Sequence, residues 1–357
     1  MRFARGVGLV ALAAVVFAPF ASAQQGSRHA RARLQQQALK QFDKDGDGKL
    51  SQDERQEARR AWRNRQKPQT KPAGSVPQGV RALRDIEYAR VNGTSLRLNL
   101  FLPKKSDKPL PVVVWIHGGA WQSGNKDQCP AVPLAEQGYA VVSINYRLTD
   151  LATFPAQIHD CKAAIRWVRA HAKDYGLDPD RIGAWGSSAG GHLVALLGTS
   201  GGVKELEGDV GGNLEYSSRV QAVCDFCGPA TFRREDLPGD SEWLGKPEGP
   251  KVLQKLLGGP LDENLDKARA ASPVSHITKD DPPFLIVHGD KDNVVPVRQS
   301  RVLAEALKKA GVDVTLRIVP GAGHGVGSLD NQRLAKEFFD RHLKGESGPA
   351  KATHAAD

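Results

Sequence analysis

The sequence predicts an α/β fold: a mostly parallel central sheet flanked by helices, with a small helical segment N-terminal to it. Three observations carry this. From about residue 84 onward, β-rich runs alternate with helical stretches, the pattern of parallel strands joined by crossover helices. At 357 residues, 40% apolar and 25% charged, the chain has the composition of a globular protein and the length for one large α/β domain plus something small. Two glycine-rich pentapeptides follow directly on predicted strands, which is where α/β sheets carry their functional loops.

In chain order, residues 1–23 carry Arg2 and Arg5, an apolar run from Val7 to Phe20, and Ala21-Ser22-Ala23 before Gln24. This predicts a secretory signal peptide cleaved after Ala23, and therefore a secreted or periplasmic protein. The apolar run is shorter than the roughly 20 residues of a bilayer span, so no stable membrane insertion is expected.

Residues 28–62 form a predicted EF-hand segment. Within it, Asp43 to Glu54 reads D-K-D-G-D-G-K-L-S-Q-D-E, a twelve-residue calcium loop. Asp43, Asp45 and Asp47 supply carboxylate oxygens, Gly48 the sharp turn, Lys49 its carbonyl, and Glu54 a bidentate closure, while Ser51 acts through water. Leu34, Ala38, Leu39 and Phe42 recur at helical spacing ahead of it. Calcium is thus the expected cofactor, in a structural or tethering role. Residues 63–80, rich in Pro, Gln, Lys and Gly, read as a flexible linker.

The catalytic domain is expected over 81–345, followed by a disordered tail at 346–357. Ile86–Val91 and Ser95–Leu102, separated by Asn92-Gly93-Thr94, predict an antiparallel hairpin at the sheet edge. Further strands are expected at Leu110–Ile116, Ala140–Asn145, Arg181–Trp185, Val220–Phe226, Phe284–Val287 and Val314–Val319, and a crossover helix over Pro155–Tyr175. Residues 229–281 have few strand signals, with Trp243, Leu244, Leu256, Leu257 and Leu261 as apolar punctuation. They predict a small helical lid or side wall.

Gly186-Ser187-Ser188-Ala189-Gly190 lies between a strand and the apolar helical run His192–Leu197. That context predicts a nucleophile elbow with Ser188 at its tip. Val112–Ile116 runs into His117-Gly118-Gly119-Ala120-Trp121, a loop able to aim successive N–H groups at a developing oxyanion, with the N–H of Ala189 completing the hole. Downstream, His324 sits just after the last strand, whereas His276 precedes a strand and His342 falls on the terminal helix. Of the two acids in His288-Gly289-Asp290-Lys291-Asp292, Asp292 is the expected partner of His324. Ser188, Asp292 and His324 would then perform acyl transfer through an activated serine, with no cofactor needed for the hydrolysis.

The H-G-G-A-W, G-S-S-A-G-G-H and H-G-D-K-D-N-V-V-P blocks resemble the α/β-hydrolase superfamily. They are most similar to bacterial esterases of the feruloyl-esterase-like and hormone-sensitive-lipase-like groups, over roughly Asp85 to Leu343. The resemblance implies Ser188, Asp292 and His324 as the triad, with Gly118, Gly119, Ala120 and Ala189 around the oxyanion. Ala120 stands where the lipase-like pattern has glycine. Arg147, Asp160 and His192 fall at family positions that are more often structural than catalytic. Together with the signal peptide, this implies a secreted carboxylic-ester hydrolase acting on a small-molecule or polysaccharide ester, such as acetyl or feruloyl groups on glycans. A prolyl-oligopeptidase-type serine peptidase shares the triad order but usually carries a large propeller. A non-catalytic, calcium-dependent surface protein would have no need of the full triad.

Two global features exclude other classes. The net charge of +10 is concentrated before residue 81: from Arg81 onward 35 basic residues face 34 acidic ones, so no nucleic-acid partner is expected. Cys129, Cys161, Cys224 and Cys227 admit three complete disulfide pairings. The Cys224-x-x-Cys227 spacing lacks the second ligand pair of a zinc site.

Overall fold

The computed structural model describes residues 76–237, 244 and 250–346, together with Asp43. The chain divides into two compact units, residues 1–72 and 73–357. The signal segment, the calcium loop apart from Asp43, residues 63–75 of the linker, and residues 347–357 lie outside the described residues.

The second unit is built on one eight-stranded sheet in the order β1-β2-β4-β3-β5-β6-β7-β8. The strands β1 (Val80–Val91) and β2 (Thr94–Pro103) form the expected antiparallel hairpin. Its two-residue turn places both Asn92 (φ 47°) and Gly93 (φ 79°) in the left-handed region, the backbone that matches strand twist across a tight hairpin. β2 runs antiparallel to β4 (Ala140–Ile144), and from β4 onward every pairing is parallel: β3 (Leu110–Ile116), β5 (Leu177–Ser187), β6 (Ala222–Phe226), β7 (Phe284–Gly289) and β8 (Val314–Val319). β5 begins four residues earlier than expected because Leu177 pairs with Leu110 across a register shift, after which Ile182 pairs with Val112.

The period-two geometry of β3 divides the core into two layers. Val112, Val114 and Ile116 join one cluster with α1 (Ala156–Ala170) and α3 (Ala189–Thr199), while Val113 and Trp115 join the other with Phe338 and Phe339 of the C-terminal helix α8 (Leu329–Phe339). All residues of β3, β4, β6 and β7 are buried, as parallel strands covered on both faces must be. Each large side chain buried here contributes on the order of 1.5–3 kcal/mol. Glycine permits the closest approach: a Cβ on Gly183 of β5 would lie 2.6 Å from Phe339 Cε1.

The expected crossover helix is interrupted. α1 stops at Ala170, His171 stacks on Trp167 at 4.2 Å, and a single turn, α2 (Ala172–Tyr175), follows. After α3 come α4 (Lys204–Glu207) and then the 229–281 insertion, whose described helices are α5 (Lys251–Leu257) and α6 (Leu265–Ala270). Leu244, Leu253, Leu256, Leu257 and Leu261 are buried in the main core, so this part of the insertion is anchored to the sheet's own core. α7 (Arg298–Lys309) buries Leu303, Ala304 and Leu307. No helix among the described residues is long and apolar enough to cross a membrane.

Candidate active site

Ser188 follows β5 directly and precedes α3, with φ 56° and ψ −122°. A non-glycine residue held there is strained, at a cost on the order of 1–3 kcal/mol. The surroundings fix it: its N–H donates to Phe226 O at 2.8 Å and its carbonyl accepts from His192 N at 2.9 Å. The flanking glycines explain why strand and helix meet so closely. A Cβ on Gly186 would lie 2.3 Å from Gly190 O, and one on Gly190 would lie 2.0 Å from Ile116 O.

Three loops, after β5, β7 and β8, bring the predicted triad together. His324 Nε2 lies 2.9 Å from Ser188 Oγ, and His324 Nδ1 lies 2.7 Å from Asp292 Oδ2. The Asp292 side chain is fully buried and that of His324 is 25% exposed. Burial acts to raise the Asp292 pKa, but the hydrogen bond from His324 and the amides of Val294 and Val295 hold it below the ordinary carboxylate value. An ionised Asp292 takes the Nδ1–H of His324, which leaves Nε2 with the lone pair that accepts the Ser188 hydroxyl. Asp290, the competing acid, instead accepts from Gly321 N at 2.7 Å and braces the loop after β8.

The loop after β3 carries the other predicted residues. Gly119 (φ 109°), Ala120 (φ 53°) and Trp121 (φ 57°) are consecutive left-handed residues, which turn successive N–H groups the same way. The turn closes through Gln122 N and Ser123 N, both donating to Gly119 O at 3.0 and 3.1 Å. Gly118 packs against the elbow, where a Cβ would lie 2.7 Å from Ser187 O and 3.3 Å from Ser188 Cβ. The N–H groups of Gly119 and Ala120 have no acceptor among the described residues. Ala189 opens α3, where a helix leaves its N–H groups unpaired.

Several side chains, in and outside the quoted motifs, support this loop by contacts that the sequence does not indicate. His117 stacks on Tyr146 at 4.4 Å, and Trp121 Nε1 donates to His192 Nδ1 at 3.2 Å. His192 Nε2 therefore carries the proton and donates to Ala271 O at 2.7 Å, which ties the loop through α3 to the 229–281 insertion. Burial lowers both His117 and His192 to about 4. A second link joins Lys255 Nζ of α5 to Gln122 Oε1 at 2.5 Å. Arg147, matching its structural reading, clasps Asp160 through Nε and Nη2 at 2.8 and 2.7 Å.

Three further buried groups near the elbow and the triad carry no catalytic signal in the sequence. His288, buried on β7, lies with Nε2 3.0 Å from Asp292 Oδ2 and 2.9 Å from Val295 O. Asp225 on β6 accepts from Gly228 N at 2.9 Å, its other oxygen has no partner, and burial raises it to about 7. Cys227, with φ 48°, donates its thiol to His324 O at 3.3 Å. All four cysteines are free thiols, so none of the three possible pairings is present. The predicted calcium ligands Asp45, Asp47, Lys49 and Glu54 fall outside the described residues.

A family model described as BD-FAE matches residues 98–307, and one described as TAP-like protein matches 264–354. The probable carboxylic ester hydrolase LipM of Mycobacterium tuberculosis is 34% identical, over 74% of this chain and 63% of its own length. The chain spans between half and two thirds of the first curated relatives it matches. Among solved structures, a truncated carbohydrate esterase from gut microbiota is 35% identical with a TM-score of 0.66, covering 74% of this chain and 96% of its own. The thermophilic esterase Est2 of Thermogutta terrifontis is 30% identical with a TM-score of 0.61, covering 77% and 95%.

Proposed function

The chain belongs to the BD-FAE family of α/β-hydrolase carboxylesterases, and from that premise we propose that it is a secreted serine esterase acting through Ser188, His324 and Asp292. The observation that carries this reading is the unbroken hydrogen-bonded line from Ser188 Oγ through the His324 ring to Asp292, at 2.9 and 2.7 Å, on a strained elbow.

In the forward half-reaction, Ser188 Oγ attacks the ester carbonyl while His324 Nε2 takes its proton. Asp292 holds the imidazole tautomer and stabilises the imidazolium. The carbonyl oxygen becomes an oxyanion facing the N–H groups of Gly119, Ala120 and Ala189, with Gly118 packed beneath. Losing one such donor costs roughly 10²–10³ in turnover. The tetrahedral adduct collapses as His324 returns the proton to the leaving alcohol. Water, deprotonated by the same Nε2, then releases the acyl group and restores Ser188.

The substrate class we assign is a short acyl or feruloyl ester on a polysaccharide, supported by the likeness to a carbohydrate esterase and by the signal sequence of residues 1–23. The all-oxygen donor set of Asp43, Asp45, Asp47, Lys49 and Glu54 fits calcium, and this segment serves as a structural or tethering module outside the chemistry. Hydrolysis of short-chain p-nitrophenyl esters, followed by acetylated and feruloylated glycans, tests the reading with Ser188→Ala as the control. Turnover by wild type that survives in Ser188→Ala defeats the mechanism. Turnover of p-nitrophenyl esters with no action on either glycan defeats the substrate class alone. Calorimetry showing no calcium binding at millimolar calcium, or binding unchanged by Glu54→Gln, defeats the calcium module.

A further inference from the structure

Cys227, Asp292 and His324 each present one potential ligand atom, and the three atoms lie within 4.8 Å of one another. This is the one group of three or more such side chains among the described residues. From this juxtaposition we propose that the triad doubles as an inhibitory site for a thiophilic divalent cation of the Zn2+ or Cd2+ type.

The donor set is one sulfur, one imidazole nitrogen and one carboxylate oxygen, a mixture suited to zinc or cadmium and poorly suited to Ca2+ or Mg2+. A tetrahedral zinc ion with bonds of about 2.0–2.3 Å needs its ligands about 3.5 Å apart, so small side-chain movements suffice: no ligand atom starts more than 4.8 Å from another, and if Nδ1 is the ligand it opens slightly from Asp292 Oδ2, now 2.7 Å away. The backbones that carry these side chains are held in place. Cys227 is fixed in the left-handed region by its own N–H donating to Val287 O at 2.9 Å, and Asp292 is held by the amides of Val294 and Val295. His324 comes from the loop after β8, whose backbone the Cys227 thiol already touches at 3.3 Å.

Burial pushes the Cys227 thiol up to about 12, so it is protonated until an ion arrives. Coordination releases that proton to solvent and forms the metal–sulfur bond, with no change of oxidation state. A fourth position is left to water. Whichever nitrogen of His324 is taken, hydrolysis stops. Bound at Nε2 the ring cannot accept from Ser188, and bound at Nδ1 it loses its hydrogen bond to Asp292. The pairing is one that the Cys224-x-x-Cys227 spacing does not suggest, since the partners of Cys227 lie 65 and 97 residues downstream.

Because the site shares His324 and Asp292 with the proposed hydrolysis, binding is read apart from turnover. The full chain is titrated with Cd2+ in excess Ca2+, which keeps the oxygen-ligand loop occupied, and the cadmium–thiolate charge-transfer absorbance is followed. Wild type and Ser188→Ala are expected to develop the band together, Cys129→Ser to retain it, and Cys227→Ser to lose it. In parallel, Zn2+ inhibits wild-type ester hydrolysis and a chelator reverses the effect. In Cys227→Ser, measured against its own metal-free rate, half-inhibition requires at least about tenfold more Zn2+, the least that loss of a ligand should cost. A band that persists in Cys227→Ser, no band in folded wild type, or equal inhibition of both proteins overturns the proposal. Should Cys227→Ser fail to fold, His324→Ala decides: Cd2+ affinity at least about tenfold weaker supports the site, and unchanged affinity overturns it.

Discussion

Two buried networks of charged side chains occupy the same sheet framework and follow opposite rules. On α1, three buried charges are met by charge: Asp160 faces Arg147, and Lys162 and Arg166 share Glu207 at 2.9 and 2.8 Å. The side chains of Asp160, Lys162 and Arg166 are 0–1% exposed. Around Asp292, a carboxylate whose side chain is equally buried meets two imidazole rings and two backbone amides, with no Lys or Arg in ion-pair reach among the described residues. Burial raises Asp160 despite Arg147 beside it, while Asp292 ends below its ordinary value. Matched charge in the first network locks helix to loop, and the geometry is costly to break from one side. Imidazole partners in the second can take up and give back a proton without breaking the network, which is what acyl transfer needs. The difference teaches that burial of a carboxylate is no guide to catalysis until the charge of its partners is known.

The sharpest test separates chemistry from stability. Ser188→Ala is expected to lower kcat/KM by roughly 10⁴ or more, and Asp292→Asn by about 10⁴, with unfolding midpoints close to wild type for the serine variant. Asp160→Ala should do the reverse. Leaving Arg147 unpaired against the core costs about 3–5 kcal/mol in denaturant unfolding, while the folded fraction keeps its rate within about tenfold. A hundredfold loss of rate in that folded fraction would break the comparison, showing that the α1 network reaches the oxyanion loop through Tyr146 and His117.

A smaller effect concerns pH. His117 and His192 fall from an ordinary 6.5 to about 4 on folding, so the unfolded chain binds their protons first. Their contribution is complete above pH 6.5 and is lost as pH falls toward 4, at up to about 1.4 kcal/mol per pH unit for each ring. Unfolding free energies measured at pH 7 and pH 5 check this, and His192→Gln is expected to shallow the slope by one ring's share. The smallest effect on stability is that of Ser188→Gly, which abolishes hydrolysis yet stabilises the fold by about 1 kcal/mol through relief of the positive-φ serine. Unchanged stability would show that the elbow stores no strain.

Much of this molecule was legible in its residues. β3 and β8 begin and end where the apolar runs do, and the elbow was readable because a serine between small residues follows a strand and precedes a helix. His324 and Asp292 were readable from their places after β8 and β7. The break in the crossover helix was not, because the stacking of His171 on Trp167 is a local event with no periodic trace. Nor were Cys227, Asp225 and His288, whose roles depend on where parallel strands stop relative to one another. Register is a property of pairs of strands, and no single segment carries it. Strand alternation alone would have sent Cys227 to a predictable face, but its left-handed backbone breaks that alternation.

The line from Ser188 to His324 to Asp292 joins residues 136 and 32 apart in sequence. It closes only when β5, β7 and β8 are stacked in their final order, with β6 between the first two. Such long-range closure comes late in folding, since local helices and the hairpin form on far shorter chain loops. Ester turnover is thus a clock for the last step of assembly: during refolding, helical signal and apolar burial return first, and the first molecule to cleave a substrate is one whose C-terminal strand has arrived.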